Sequence, residues 1–150
     1  MTEERVTNII LSHLDKREWQ IVCFDFPQSG TGCMLHPDDG EPSKNSDSII
    51  PDIVAVKDGI CLFFENKDRF YKPDYEKCNS LITHNRYTND IAKLLDGYSV
   101  RQIYYGIGLP TVKHTPNAAK SANLVDFVVG VEEEGGICLL VDNTSGQTGL

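Results

Sequence analysis

The stretch Ile50-Pro-Asp-Ile-Val-Ala-Val-Lys-Asp-Gly-Ile-Cys-Leu-Phe-Phe-Glu-Asn-Lys67 decides the fold. Two apolar runs are joined by Asp58-Gly59. An Asp-Gly pair supplies the two positive φ angles of a type I′ turn, so the stretch is predicted to form a tight hairpin. A two-residue turn fixes the register outward from it: Lys57 faces Ile60, Val56 faces Cys61, and Asp52 falls opposite Glu65. Opposed residues share a face of the sheet with Cβ atoms about 4.5–5.5 Å apart. Lys67, two residues beyond Glu65, points the same way.

Two carboxylates opposed on an apolar hairpin repel each other, and both resist loss of water. A divalent cation removes the conflict. Mg²⁺ prefers oxygen ligands and is often held by one or two carboxylates together with waters and a substrate phosphate. Lys67 beside such an ion is suited to orienting a water or neutralising charge on a phosphate.

Pro51-Asp52 and, with Glu65 thirteen positions after Asp52, Glu65-Asn66-Lys67 resemble the signature of the PD-(D/E)xK nuclease superfamily. Ile50 to Arg69 is similar in particular to archaeal Holliday-junction resolvases, and a looser likeness extends to the N-terminus. The resemblance implies a restriction-endonuclease-like core and a Mg²⁺-dependent DNA endonuclease, with Mn²⁺ as a substitute metal. It implies that Asp52, Glu65 and the Asn66 backbone carbonyl bind the metal, and that Lys67 assists the attacking water. It also implies a glutamate on the first helix that reaches toward the metal. Glu3 is the better match by its face, with Glu4 left open by one turn.

The chain has 150 residues, 40% of them hydrophobic, which suits one α/β domain spanning 1–150. No apolar run approaches the roughly 18 residues of a membrane span, and the charged start Met-Thr-Glu-Glu-Arg points to a cytoplasmic protein. The five cysteines form no Cys-x-x-Cys pair and read as reduced, largely buried thiols. Cys33-Met-Leu-His36 has a ligand-like spacing without a second pair to complete a site.

The net charge of -8 argues against gripping DNA by bulk electrostatics. Between Glu65 and Lys120, however, nine basic residues outnumber six acidic ones. A local basic face beside the hairpin is therefore compatible with the acidic whole. Arg69 and Lys72 just past the hairpin, and His84, Asn85 and Arg86 in a polar stretch, are the candidate DNA contacts.

The rest of the chain supplies the frame. Residues 2–16 read as a helix capped by Thr2, with Glu3 and Glu4 in its first turn and a stripe of Val6, Ile9, Ile10, His13 and Leu14. Glu18 to Phe26 reads as a strand with Trp19, Ile21 and Cys23 on one side and Val22, Phe24 and Phe26 on the other. Residues 27–48 read as a long loop, in which Ser29-Gly30-Thr31-Gly32 is suited to approaching phosphate. Asp74 to Leu95 is helical with a break at Thr83–Asn89, and Pro73 holds Lys72 outside the helix. A strand at Ser99–Leu109 precedes a loop at 110–116, a short helix at 117–123 and a second hairpin of 124–131 with 136–141. Residues 143–150 read as a flexible tail. The expected architecture is a mixed central β-sheet flanked by helices.

Two functions follow as expectations. The first is a DNA endonuclease, resolvase-like or restriction-like, acting as a homodimer because cutting two strands needs two sites. The second is a catalytically weak nuclease-fold subunit, or interaction module, that works with a protein partner in a DNA-processing complex.

Overall fold

A computed structural model describes residues 1–26, 32–39, 47–111 and 120–150. The Ser29–Thr31 part of the suggested phosphate loop, the loop at 112–116 and residues 117–119 of the helix expected at 117–123 lie outside the described residues, while Ala122–Leu124 forms a single 3-10 turn.

The hairpin forms as read. Strands β2 (Ile53–Lys57) and β3 (Ile60–Asn66) pair with Lys57 opposite Ile60 and Ile53 opposite Phe64. Asp58 and Gly59 in the turn between them take φ of 51° and 80°. Around this hairpin a six-stranded mixed sheet is laid down in chain order. β1 (Gln20–Phe24) adds antiparallel to β2. β4 (Gln102–Pro110) adds parallel to β3, and β5 (Phe127–Val131) parallel to β4. β6 (Ile137–Asp142) closes the sheet antiparallel to β5.

Parallel neighbours need a crossover, and here it is helical. α2 (Lys72–His84) and α3 (Thr88–Leu94) connect β3 to β4. They cover one face of the sheet, where Tyr75, Cys78, Tyr87 and Leu95 pack on Val54, Val56, Cys61, Phe63 and Tyr105. α1 (Glu3–Lys16) covers the other face, its Val6, Ile9, Ile10 and Leu14 packing on Ile53, Ala55, Leu62, Phe64 and Phe127. The Thr2 side chain caps α1 by accepting the Arg5 N–H at 3.1 Å. Two glycines of β4 make room for side chains: a Cβ at Gly106 would lie 2.3 Å from the Phe127 ring, and one at Gly108 2.4 Å from Asn66 Oδ1. Among the described residues, no helix is long and apolar enough to cross a membrane.

Four local readings need correction. The alternation expected along β1 fails at an irregularity between Ile21 and Cys23. Trp19 and Ile21 pack on the α1 side, while Val22 and Cys23 both join the α2 side, because the extra residue re-aims the strand. Lys72 begins α2 rather than preceding it, with Pro73 in the first turn, where its missing N–H costs nothing. The long loop is partly built: Leu35 is buried and bridges Ile49. The tail is held in place, since Asp142 accepts from Thr144 N, Thr144 Oγ1 and Gly146 N, Thr148 is buried, and Gln147 accepts from the Tyr104 hydroxyl at 3.0 Å.

Candidate metal and phosphate site

Alternation along the hairpin decides which side chains meet. Val54 and Val56 of β2 and Cys61 and Phe63 of β3 face α2, so Asp52 and Glu65, in step with them, open on that face. The ladder ends at Ile53 and Phe64. One step beyond, the Asp52 N–H donates to the Phe64 carbonyl at 3.0 Å. The Asp52 carboxylate then replaces the next ladder bond, with Oδ2 accepting the Asn66 N–H at 2.6 Å. N–H and C=O of one strand residue point to the same side, so the Asn66 carbonyl is also directed toward Asp52.

The Asn66 side chain takes the opposite face and is buried. Its Nδ2 donates to Thr7 Oγ1 at 3.0 Å, which ties the end of β3 to the first turns of α1. Its Oδ1 is buried without a hydrogen-bond partner. The same helix places Glu3 beside the site, with Oε1 3.4 Å from Lys67 Nζ. Lys67 Nζ is also 3.7 Å from Glu65 Oε1.

Two more charged residues arrive from α2. Lys77 Nζ donates to Glu65 Oε2 at 3.1 Å. Asp74, in the first turn of α2, is buried, and its Oδ2 has no hydrogen-bond partner. Neither was singled out in the sequence. The signal available was a stripe of Asp74, Lys77, Cys78 and Leu81 at helical spacing, which sets two charges on a face otherwise bound for the core.

The electrostatics follow from crowding carboxylates in a half-buried place. Burial, and then the charge of Glu65, push the Asp52 carboxyl up to about 7 against the opposing pull of the Asn66 N–H, Lys67 and Lys77. Burial pushes the Asp74 carboxyl up as well, with Lys67 as the main counterweight. For Lys67, burial alone would favour the neutral amine, but Asp74, Glu65, Glu3 and Asp52 outweigh it and its pKa is raised. Lys67 therefore remains an ammonium at neutral pH. It can donate hydrogen bonds and screen negative charge.

The donors fit a hard divalent cation in kind: carboxylate oxygens of Asp52 and Glu65, a peptide carbonyl beside them, and a carboxyl pair whose mutual repulsion an ion would relieve. The set is sparse. Among the described residues, no group of three or more His, Cys, Asp or Glu side chains is arranged to hold a metal. Water and substrate oxygens would have to complete the coordination, as is usual for Mg²⁺. Cys33 instead packs against the core on the α2 side, and His36 Nδ1 meets Ser48 Oγ at 2.9 Å.

The candidate DNA contacts are spread along α2. Arg69 and Lys72 are exposed at the site end, with Lys72 Nζ 3.9 Å from Glu76. His84 and Asn85 lie at the far end of α2, where Asn85 takes φ 50° as its C-cap. At about 1.5 Å per residue they stand well over 10 Å along the helix from Lys72. Arg86 is engaged by Asp39 and Asp47, each at 3.6 Å, and its carbonyl accepts the Asp38 N–H at 2.6 Å. The Tyr87 hydroxyl donates to the Asp47 carbonyl. Arg86 and Tyr87 thus hold the described part of the loop against the α2–α3 junction.

No family model matches the chain, and neither the curated proteins nor the solved structures give a significant match.

Proposed function

We propose that this protein is a Mg²⁺-dependent DNA endonuclease of the PD-(D/E)xK kind, resolvase-like or restriction-like. The observation that carries the reading is one of register. Asp52 and Glu65 open on the same face at the end of one hairpin, with the Lys67 ammonium between Glu65 and Glu3. The strand order, an antiparallel β1-β2-β3 meander followed by a parallel β4 after a helical crossover, agrees with the core that the resemblance implies.

Asp52 and Glu65 would hold the metal, with the Asn66 carbonyl beside them. When bound, Mg²⁺ makes a coordinated water acidic and offsets the charge that builds on a phosphate under in-line attack. The chain's own contribution is positioning. Lys67, pinned by Glu3, donates a hydrogen bond to the attacking water or to a phosphate oxygen. The Asn66 N–H fixes the Asp52 carboxylate, and the Thr7–Asn66 bond keeps the strand end from shifting relative to Glu3. A homodimer would supply a second such site for the second strand.

The test is cleavage of a plasmid and of a four-way junction in Mg²⁺ or Mn²⁺ across a salt range, alongside Asp52→Ala and Lys67→Ala. Metal-dependent cutting by the wild type that both variants lose supports the proposal. No cutting by the wild type with either metal overturns it. The second reading, a nuclease-fold subunit with little activity that joins a protein partner, is favoured by the Lys77–Glu65 ion pair and by the net charge of -8. Duplex and junction substrates, compared directly, separate restriction-like from resolvase-like behaviour.

A further inference from the structure

Four carboxylates (Glu3, Asp52, Glu65 and Asp74) surround two ammonium groups, Lys67 and Lys77. With every group ionised, the cluster lacks two positive charges, which is the charge of one divalent ion. The two lysines are not held alike. Lys67 lies within 4 Å of both Glu3 and Glu65. Among the described residues, Lys77 has one ion-pair partner, Glu65, at 3.1 Å. Its side chain is 38% exposed against 26% for Lys67, so its four-carbon stem has room to swing while α2 stays packed.

Glu65 is only 13% exposed and needs a cation close by. Resting on the nuclease reading above, we propose that Lys77 is the resident counterion of Glu65, displaced when a divalent ion binds and then free to contact the substrate phosphate. Lys67 stays in place because its second ion pair, with Glu3, keeps it. Among the described residues no second acid lies within ion-pair distance of Lys77, although Asp52 and Asp74 feel its charge, so a phosphate beside the metal becomes its best partner. Metal binding and phosphate binding are thereby coupled: the ion releases the lysine that helps to hold the backbone of the nucleic acid.

Calorimetry with MnCl₂ alone tests this on wild type, Lys77→Met and Lys77→Arg. The Met variant keeps the stem and removes the competitor, so Mn²⁺ binding should tighten about twofold to fivefold, the worth of a half-exposed ion pair. Binding of a DNA duplex in Ca²⁺ should weaken in the same variant, with the slope of log affinity against log salt reduced by about 0.9. The Arg variant should follow wild type in both. Unchanged or weaker Mn²⁺ binding by a folded Met variant, with wild type binding normally, overturns the Lys77 proposal and leaves the nuclease reading standing. A wild type that binds no metal overturns both. If the Met variant fails to fold, the Arg variant decides through DNA binding: affinity lost with charge retained would overturn the phosphate contact.

Discussion

Asp52 and Asn66 are joined where the β2–β3 ladder stops, the carboxylate of one accepting the backbone N–H of the other at 2.6 Å. The bond stabilises an ionised Asp52, yet burial and Glu65 oppose it more strongly and hold the carboxyl up to about 7. In the unfolded chain the same group titrates near 3.8, so folding takes up a proton between these values. This group's contribution to stability is complete below about pH 4 and is lost as the pH rises through 7. Wild type minus Asp52→Asn, measured by urea unfolding without metal, cancels the other carboxylates. The wild type should fall behind the variant steadily from pH 4 to 8. Parallel curves would refute the assignment, and Mn²⁺ at pH 8 should recover stability in the wild type alone.

Lys67 provides the sharpest separation of binding from chemistry. Lys67→Met should lower single-turnover cleavage by about 10²–10³, the usual cost of losing one donor aimed at developing charge. Mn²⁺ affinity should not fall with it, since no metal ligand is removed. Glu3→Gln loosens Lys67 without replacing it, so its loss of rate should be smaller, about 10–100-fold, as for partners that orient a functional side chain. A Glu3→Gln enzyme with full activity would remove Glu3 from the site.

Thr7→Val leaves both polar atoms of the Asn66 amide buried without partners, since Oδ1 already has none. Urea unfolding should show a loss of about 1–3 kcal/mol. Gly108→Ala drives a Cβ to 2.4 Å from Asn66 Oδ1 and 2.5 Å from Ile10 Cδ1, and should also destabilise, by about 1–3 kcal/mol. Either variant retaining wild-type stability would show that the end of β3 is less tightly packed than described.

Among the candidate DNA contacts, Arg86 and Arg69 should behave differently. Arg86 already faces Asp39 and Asp47, whereas Arg69 is exposed three residues past the end of β3. Arg69→Ala should reduce the salt slope of duplex binding by about 0.9, while Arg86→Ala leaves the slope unchanged. Equal salt slopes for the two variants would count against this division.

What the sequence made legible was local. Asp58-Gly59 set a register that put Asp52 and Glu65 on one face, because a two-residue turn leaves no freedom to slip. The polar run from Thr83 to Asn89 marked the break between α2 and α3 for the same local reason. What it hid was relational. Val22 is apolar like its neighbours on either side, so nothing in β1 announces the irregularity there. Asp74 and Lys77 matter only through how α2 lies across β3, a packing choice made by residues distant in the chain. The tail was misjudged because its order comes from Asp142 turning back on Thr144 and Gly146 rather than from apolar spacing.

The parallel pairing of β3 with β4 carries a kinetic consequence. Hairpin β2–β3 closes over two residues and can assemble early, bringing Asp52, Glu65 and Lys67 together on its own. Lys77 arrives only once the α2–α3 crossover has folded back to let β4 dock, and Glu3 only once α1 has found the opposite face. Such long loops close slowly. During refolding, the acids should therefore be grouped before the groups that discipline them, and competence to cut should lag behind the appearance of β-structure.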